Sequence, residues 1–153
     1  AASPKVHLGS HLERVMRSVS KPLFVAAQEF RPIERVLVAY DGSPSAMRAV
    51  DYLARSPIYA GLKTTVVTFG QDTHATQKVL DNAKAVLAGA GIEAATEIRP
   101  GPPDKALGEL VSEDAFDHPL MGPSGHTRFR AFFVGSTTVE MLRICPVAML
   151  LVK

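Results

Sequence analysis

The stretch from Met121 to Thr138, MGPSGHTRFRAFFVGSTT, holds three glycines, three basic side chains and no carboxylate. Glycine lets another group come close to the backbone, at a cost in chain entropy. Gly122, Gly125 and Gly135 beside Ser136, Thr137 and Thr138 therefore read as a loop shaped around an anion. Main-chain amides in such turns form concave nests for anions, and a helix N-terminus adds unpaired donors and a partial positive charge. Gly135 would open a short helix over Thr137–Arg143, with the Ser136 and Thr137 hydroxyls as further donors. Three or four hydrogen bonds to a charged group, each about 1.5–3 kcal/mol, less the ordering cost, support micromolar affinity, about 8 kcal/mol.

Such a loop needs a scaffold. Arg35–Tyr40 is a short apolar run rich in strand formers, ended by Asp41-Gly42-Ser43-Pro44. Ser43 can cap a helix and Pro44 suits its first turn, with Ala46, Val50, Leu53 and Ala54 on one face. Thr64–Gly70 reads as a second buried strand, and Asp72 or Thr73 as the cap of a helix with Val79, Ala83, Val86, Leu87 and Ala90 at helical spacing. Ile92–Arg99 is a third strand, followed by a helix with Ala106, Leu107, Leu110 and Val111 on one face. Phe116–Met121 is a short strand interrupted by Pro119, and Val147–Val152 is the last. The order β-α-β-α-β-α-β-loop-α-β predicts a doubly wound α/β fold, a parallel sheet with helices on both faces. Ligands in such sheets sit beyond the carboxyl ends of the strands, where strand order reverses. The Asp41 turn and the Gly122–Gly125 turn are the two that could meet there.

The bulk composition narrows the classes. At 153 residues, 46% hydrophobic and 21% charged, the chain suits one globular domain with a real core. A net charge of +2 argues for neither nucleic acid nor a membrane surface as partner. A single cysteine, Cys145, excludes an internal disulfide. No apolar run has the length of a bilayer span, and no basic region followed by an apolar run marks the N-terminus. A cytoplasmic location is the expectation.

Residues before Ile33 fall outside the alternating order. Leu12, Val15, Met16 and Val19 make a helical stripe, and Lys21–Ala26 reads as a strand. Gly9-Ser10, with its helix and strand, is spaced like Gly135-Ser136 with its own. The readings are an internal repeat of a helix–strand unit or a leader helix with coincidental spacing.

The spacing G-x-x-G followed nine residues on by G-S, here Gly122, Gly125, Gly135 and Ser136, resembles the nucleotide-binding signature of the universal stress protein family. VLVAYDGSPSAMRAV (Val36–Val50) resembles that family's opening strand, acidic turn and first helix, and GSHLERVMRSVSKPLFVA (Gly9–Ala26) resembles the close of such a domain. The resemblance implies residues 1–32 as the tail of a preceding repeat and 33–153 as a nucleotide-binding domain. It implies a five-stranded parallel sheet, with the strand at Lys21–Ala26 pairing antiparallel with Val147–Val152, in imitation of a homodimer formed through the last strands. It also implies ATP, or AMP or ADP, with Mg2+. Phosphates would meet Gly125, Gly135, Ser136 and Thr137, with His126 nearby; the ribose would meet Asp41 and Gly122; the adenine would meet Ala39, Tyr40, Phe69 and Met121.

Each role has a plain alternative. Asp41 also suits an ordinary turn. His126, Arg128 and Arg130 also suit a solvated loop face, and Ser124 a turn. Pro123 removes one amide from the nest, which favours a rival reading, a structural or dimerisation module that binds no nucleotide. A slow ATP hydrolase is the third class, although no general base or second carboxylate stands near the glycines. G-x-x-x-x-G-K-[ST], G-x-G-x-x-G after the first strand and G-x-S-x-G are all absent. His7 and His11 lie four apart without a third ligand, His74 and His118 sit among polar turns, and Cys145 reads as buried filler.

Overall fold

A computed structural model describes residues 18–122 and 146–153, together with positions 11, 14 and 15. Its elements are β1 (Leu23–Val25), β2 (Arg35–Ala39), α1 (Pro44–Arg55), a short 3-10 turn (Pro57–Tyr59), β3 (Lys63–Phe69), α2 (His74–Gly89), β4 (Ala94–Arg99), α3 (Pro103–Ser112), β5 (His118–Met121) and β6 (Met149–Leu151). The strands form one sheet in the order β1-β6-β5-β2-β3-β4. The five from β6 to β4 run parallel, and β1 closes the edge antiparallel to β6, with Leu23 opposite Leu151 and Val25 opposite Met149. This is the expected parallel sheet with its antiparallel edge strand.

Side chains alternate across the sheet. Val36, Val38, Val66 and Leu120 face α1 and α2, whose stripes Ala46, Ala49, Val50, Leu53 and Leu80, Ala83, Leu87 pack onto them. Leu37, Val67, Met149 and Leu151 face the other way, onto Ala106, Leu107 and Leu110 of α3. Helices therefore cover both faces. On α2 the buried stripe includes Leu80, which sequence reasoning missed, whereas Ala90 caps the helix and is exposed.

Pro119 does not interrupt its strand. It lies within β5, between two neighbouring strands, opposite Leu37. Proline is ordinarily an edge residue because it brings no N–H to the ladder. The loss of one bond, about 0.5–1.5 kcal/mol net, is outweighed by burial of its neighbour Leu120, fully inaccessible and contributing about 1.5–3 kcal/mol. Of the N-terminal stripe, Val15 is helical, as are His11, Arg14 and Ser18 around it, and Val19 lies past the helix; Leu12 and Met16 lie outside the described residues. The helix expected over Thr137–Arg143, the glycine pair of the repeat and Cys145 lie outside the described residues.

Candidate functional site

The chain leaves β2 toward β3 and β4 on one side and returns to β5 and β6 on the other, so strand order reverses between β2 and β5. A crevice opens at such a point, beyond the carboxyl ends of the strands. The turn after β2 is built locally. Asp41 Oδ1 accepts the Ser43 amide at 2.9 Å, Gly42 takes a left-handed φ of 81° that glycine alone adopts freely, and Ser43 Oγ caps α1 by accepting the Ala46 amide at 3.1 Å. Gly122, directly after β5, packs against the head of α1, which follows that turn. A β-carbon placed on Gly122 would lie 2.1 Å from the Ser45 carbonyl oxygen, so only a bare backbone fits there. Gly122 is the one described residue of the Gly122–Gly125 turn, and it lies at the head of α1, just past the Asp41 turn.

A cleft of about 660 Å³ opens beside the Asp41 turn, on the side of β3 and β4. Asp41 stands on its β2 side, and Thr68, Phe69 and Gly70 form the end of β3. Thr73, Thr76 and Val79 at the head of α2 make one wall, and Gly101 and Pro103 beyond β4 another. The α2 wall is braced internally: Thr73 Oγ1 accepts the Thr76 amide at 3.2 Å and bonds the Thr76 hydroxyl at 2.9 Å, and that hydroxyl donates to the Gln71 carbonyl at 2.9 Å. Among the described residues, Asp41 is the only charged side chain lining the cleft. An uncharged, ring-sized group suits that lining better than a phosphate does.

The anticipated site residues divide into three groups. Asp41 and Phe69 line the cleft, and Gly122 is wedged against the head of α1. Ala39 and Met121 end β2 and β5, Tyr40 follows Ala39, and none of the three lines the cleft. The Tyr40 side chain is buried among α1 and α2, its amide donates to the Val67 carbonyl at 2.9 Å, and burial raises its phenol pKa against an opposing hydrogen bond with Asn82. Met121 packs with Val147 and Met149 on the α3 face, and Ala39 borders the same cluster. Gly125, His126, Gly135, Ser136 and Thr137, with Pro123, Ser124, Arg128 and Arg130, lie outside the described residues.

Sequence reasoning missed Thr68, Thr76, Gly101 and Pro103 as cleft residues, and read Thr73 only as a cap. The signal was present: TFGQDTHAT and RPGPPD each place glycine and a helix-starting residue after a strand, as DGSP does.

His118 needs correction. It is fully buried at the start of β5, at the opposite end of the sheet, and not in a polar turn. Its Nδ1 lies 2.6 Å from the Ala148 carbonyl oxygen, a contact only an N–H can make. Nε2 then accepts the Tyr59 hydroxyl at 2.9 Å, and the two rings stack. Burial lowers the His118 pKa and pushes that of Tyr59 up to about 12. The pair is neutral and structural. No group of three His, Cys, Asp or Glu that could hold a metal occurs among the described residues, and none of their helices is long and apolar enough to cross a membrane.

Known proteins carry the same arrangement. Residues 59–153 match the model of the universal stress protein family. A universal stress protein of Synechocystis is 38% identical over 139 residues, 90% of this chain and 48% of that protein. A universal stress protein from Archaeoglobus fulgidus superimposes with a TM-score of 0.70 at 25% identity, covering 92% of this chain and 52% of that one. A universal stress protein crystallised in complex with cAMP superimposes with a TM-score of 0.65 at 25% identity, covering 80% of this chain and 98% of that one. The chain thus spans about half the length of the Synechocystis and Archaeoglobus relatives. With the sheet order and the family match in agreement, this chain belongs to the universal stress protein family.

Proposed function

We propose that this chain is an adenine-nucleotide-binding sensor module with little or no catalytic turnover. The observation that carries the reading is the open cleft beyond β3, lined by Asp41 and Phe69, with the Gly122 backbone seated against the head of α1 next to the Asp41 turn. The relative solved with cAMP supports an adenine ligand. In this reading the base enters the cleft toward Phe69, with Ala39, Tyr40 and Met121 forming the sheet end beneath it, and the ribose meets Asp41 and Gly122. The phosphates reach Gly125, Gly135, Ser136 and Thr137, with His126 nearby. ATP is the proposed ligand, with AMP and ADP as weaker or equal competitors. Mg2+ would be held chiefly by phosphates and water, since Asp41 is the one carboxylate on the cleft among the described residues. The same solitary carboxylate argues against efficient hydrolysis, which needs a positioned general base.

Residues 33–153 form the binding unit in this proposal, and residues 1–32 the helix–strand tail of a preceding repeat, a reading supported by the antiparallel seat of β1 against β6. Pro123 favours the second reading, a structural module without nucleotide, because it removes an amide from the proposed nest.

Isothermal titration with AMP, ADP and ATP tests the proposal. Micromolar binding is expected, weakened at least about tenfold by Gly125→Val, which fills the nest. Unchanged affinity in that variant, or no binding by the parent chain, would overturn it.

A further inference from the structure

β1 is the most loosely held strand of the sheet. It has three residues and pairs with β6 alone. No residue from 18 to 35 is buried, whereas every residue of β5 and β6 is. Elements with so little buried surface open first. Its central residue, Phe24, lies opposite Leu150, which in turn lies opposite Leu120. Side chains two apart on a strand share a sheet face, so Phe24 is on the face of His118, and the two rings lie 5.5 Å apart. Phe24 is 53% exposed and His118 is fully buried. Phe24 thus covers His118 from the edge of the sheet.

The surroundings of His118 match a neutral ring. Nδ1–H donates to the Ala148 carbonyl and Nε2 accepts the Tyr59 hydroxyl. A second proton on Nε2 would set N–H against O–H, and the Tyr59 hydroxyl has no other acceptor to turn to among the described residues. No charge stands ready to compensate among them. The 3-10 turn and α1 present phenols, Tyr59 and, edge-on to it, Tyr52. β6 is preceded by the Ala148 carbonyl, β1 presents Phe24, and Val36 of β2 stands beside His118 in register. Asp117, one residue before, keeps its carboxylate on Arg35 and the Glu34 amide. The Phe24 ring attracts a cation weakly, by less than the cost of taking that cation out of water. Burial accordingly holds the His118 pKa below its ordinary value of 6.5.

We propose that His118 is an acid latch for β1: a second proton on its buried ring drives Phe24 off, β1 leaves the sheet, the ring reaches water, and the edge of β6 is freed. β1 yields first because Tyr59 is 4% exposed and Ala148 leads into the buried β6, whereas β1 has little to lose. The released state, with an ordinary His118, gains about tenfold for each pH unit by which the folded pKa lies below the ordinary one. The gain begins below about pH 6.5 and is complete below the folded pKa. The latch lies at the opposite end of the sheet from the cleft and stands apart from the nucleotide reading.

NMR of the full chain from about pH 7.5 to about pH 4.5 tests it. The spectra follow the His118 ring protons and the contact between Phe24 and Leu150 across the β1–β6 pair, with Val38 against Val66 across β2–β3 as control. Asp117 is held below the usual carboxylate value, so its bonds to Arg35 outlast this window. The β1–β6 contact should fade with the midpoint of the His118 titration while the control persists. His118→Gln should keep that contact to the lowest pH, and Phe24→Ala, which uncovers the ring, should raise the His118 pKa toward the ordinary value. A β1–β6 contact that outlasts protonation of His118 overturns the latch, as does loss of both contacts together, the same acid loss in the glutamine variant, or a ring that takes up no proton in the window. Should the glutamine variant not fold, an unchanged His118 titration in Phe24→Ala overturns it.

Discussion

Gly122 is bare because of the Ser45 carbonyl. Its role was legible as a glycine spacing, but the reason was not, since Ser45 lies far away in sequence and meets it only through the sheet. Gly122→Ala forces a β-carbon to within 2.1 Å of that oxygen, so the end of β5 and the head of α1 must separate. A loss of about 2–3 kcal/mol is expected, read by urea denaturation, together with weaker nucleotide binding; parent-like stability would refute the contact. His118 shows the opposite failure of sequence reading, because nothing local signals that Ala148 and Tyr59 will satisfy both ring nitrogens in the core. Its folded pKa lies below the ordinary value of 6.5 because of burial. The unfolded chain therefore takes up the proton first as pH falls, so stability is full above about 6.5 and declines below it, until the folded pKa is passed. Urea midpoints from pH 7.5 to 5.5 should drop for the parent chain and drop less for His118→Gln. Identical slopes would show that His118 does not carry this dependence.

Strands and helices were legible where local chemistry and periodicity agree. Ser43 and Pro44 start α1 as their residue types dictate, and Thr73 caps α2. Pro119 misled because its neighbours' burial, invisible locally, overrides the missing N–H. The pin joining β2 to β5 was not legible either, since it links positions distant in sequence. Asp117 Oδ2 accepts the Arg35 amide at 2.8 Å and the Glu34 amide at 3.2 Å, Oδ1 accepts Arg35 Nη2 at 2.9 Å, and Arg35 Nη1 donates to the Asp114 carbonyl at 2.7 Å. These bonds, the guanidinium first, hold the Asp117 pKa below its usual value. Asp117→Asn keeps the shape and removes the charge, and should lower stability by about 1–2 kcal/mol at neutral pH. The stabilisation is full above the unfolded carboxylate value of about 3.9 and is lost as pH falls through the lower folded one, so parent and variant should converge in strong acid. A gap that stays constant with pH would contradict the charge-based account.

The six strands assemble so that β1 covers the edge of β6, an edge that would otherwise offer unpaired backbone to another chain. A chain reduced to residues 33–153 should sediment with a larger dimer fraction than the full chain at equal concentration. A monomer under the same conditions would show that the β6 edge is not what β1 protects. The parallel sheet covered on both faces followed from the alternation of strands and helices, and its antiparallel edge strand from the resemblance to the family. The full extent of the cleft did not, because the ends of β3 and β4 reach it only through sheet order. Amide chemical shifts recorded while AMP is titrated into the labelled chain test the central claim most directly. Shifts concentrated at Asp41–Ser43, Thr68–Gln71 and Gly122 are predicted. No shifts at millimolar AMP, or shifts confined to the far end of the sheet around Lys63 and His118, would contradict a nucleotide site at the carboxyl ends of β2 and β5.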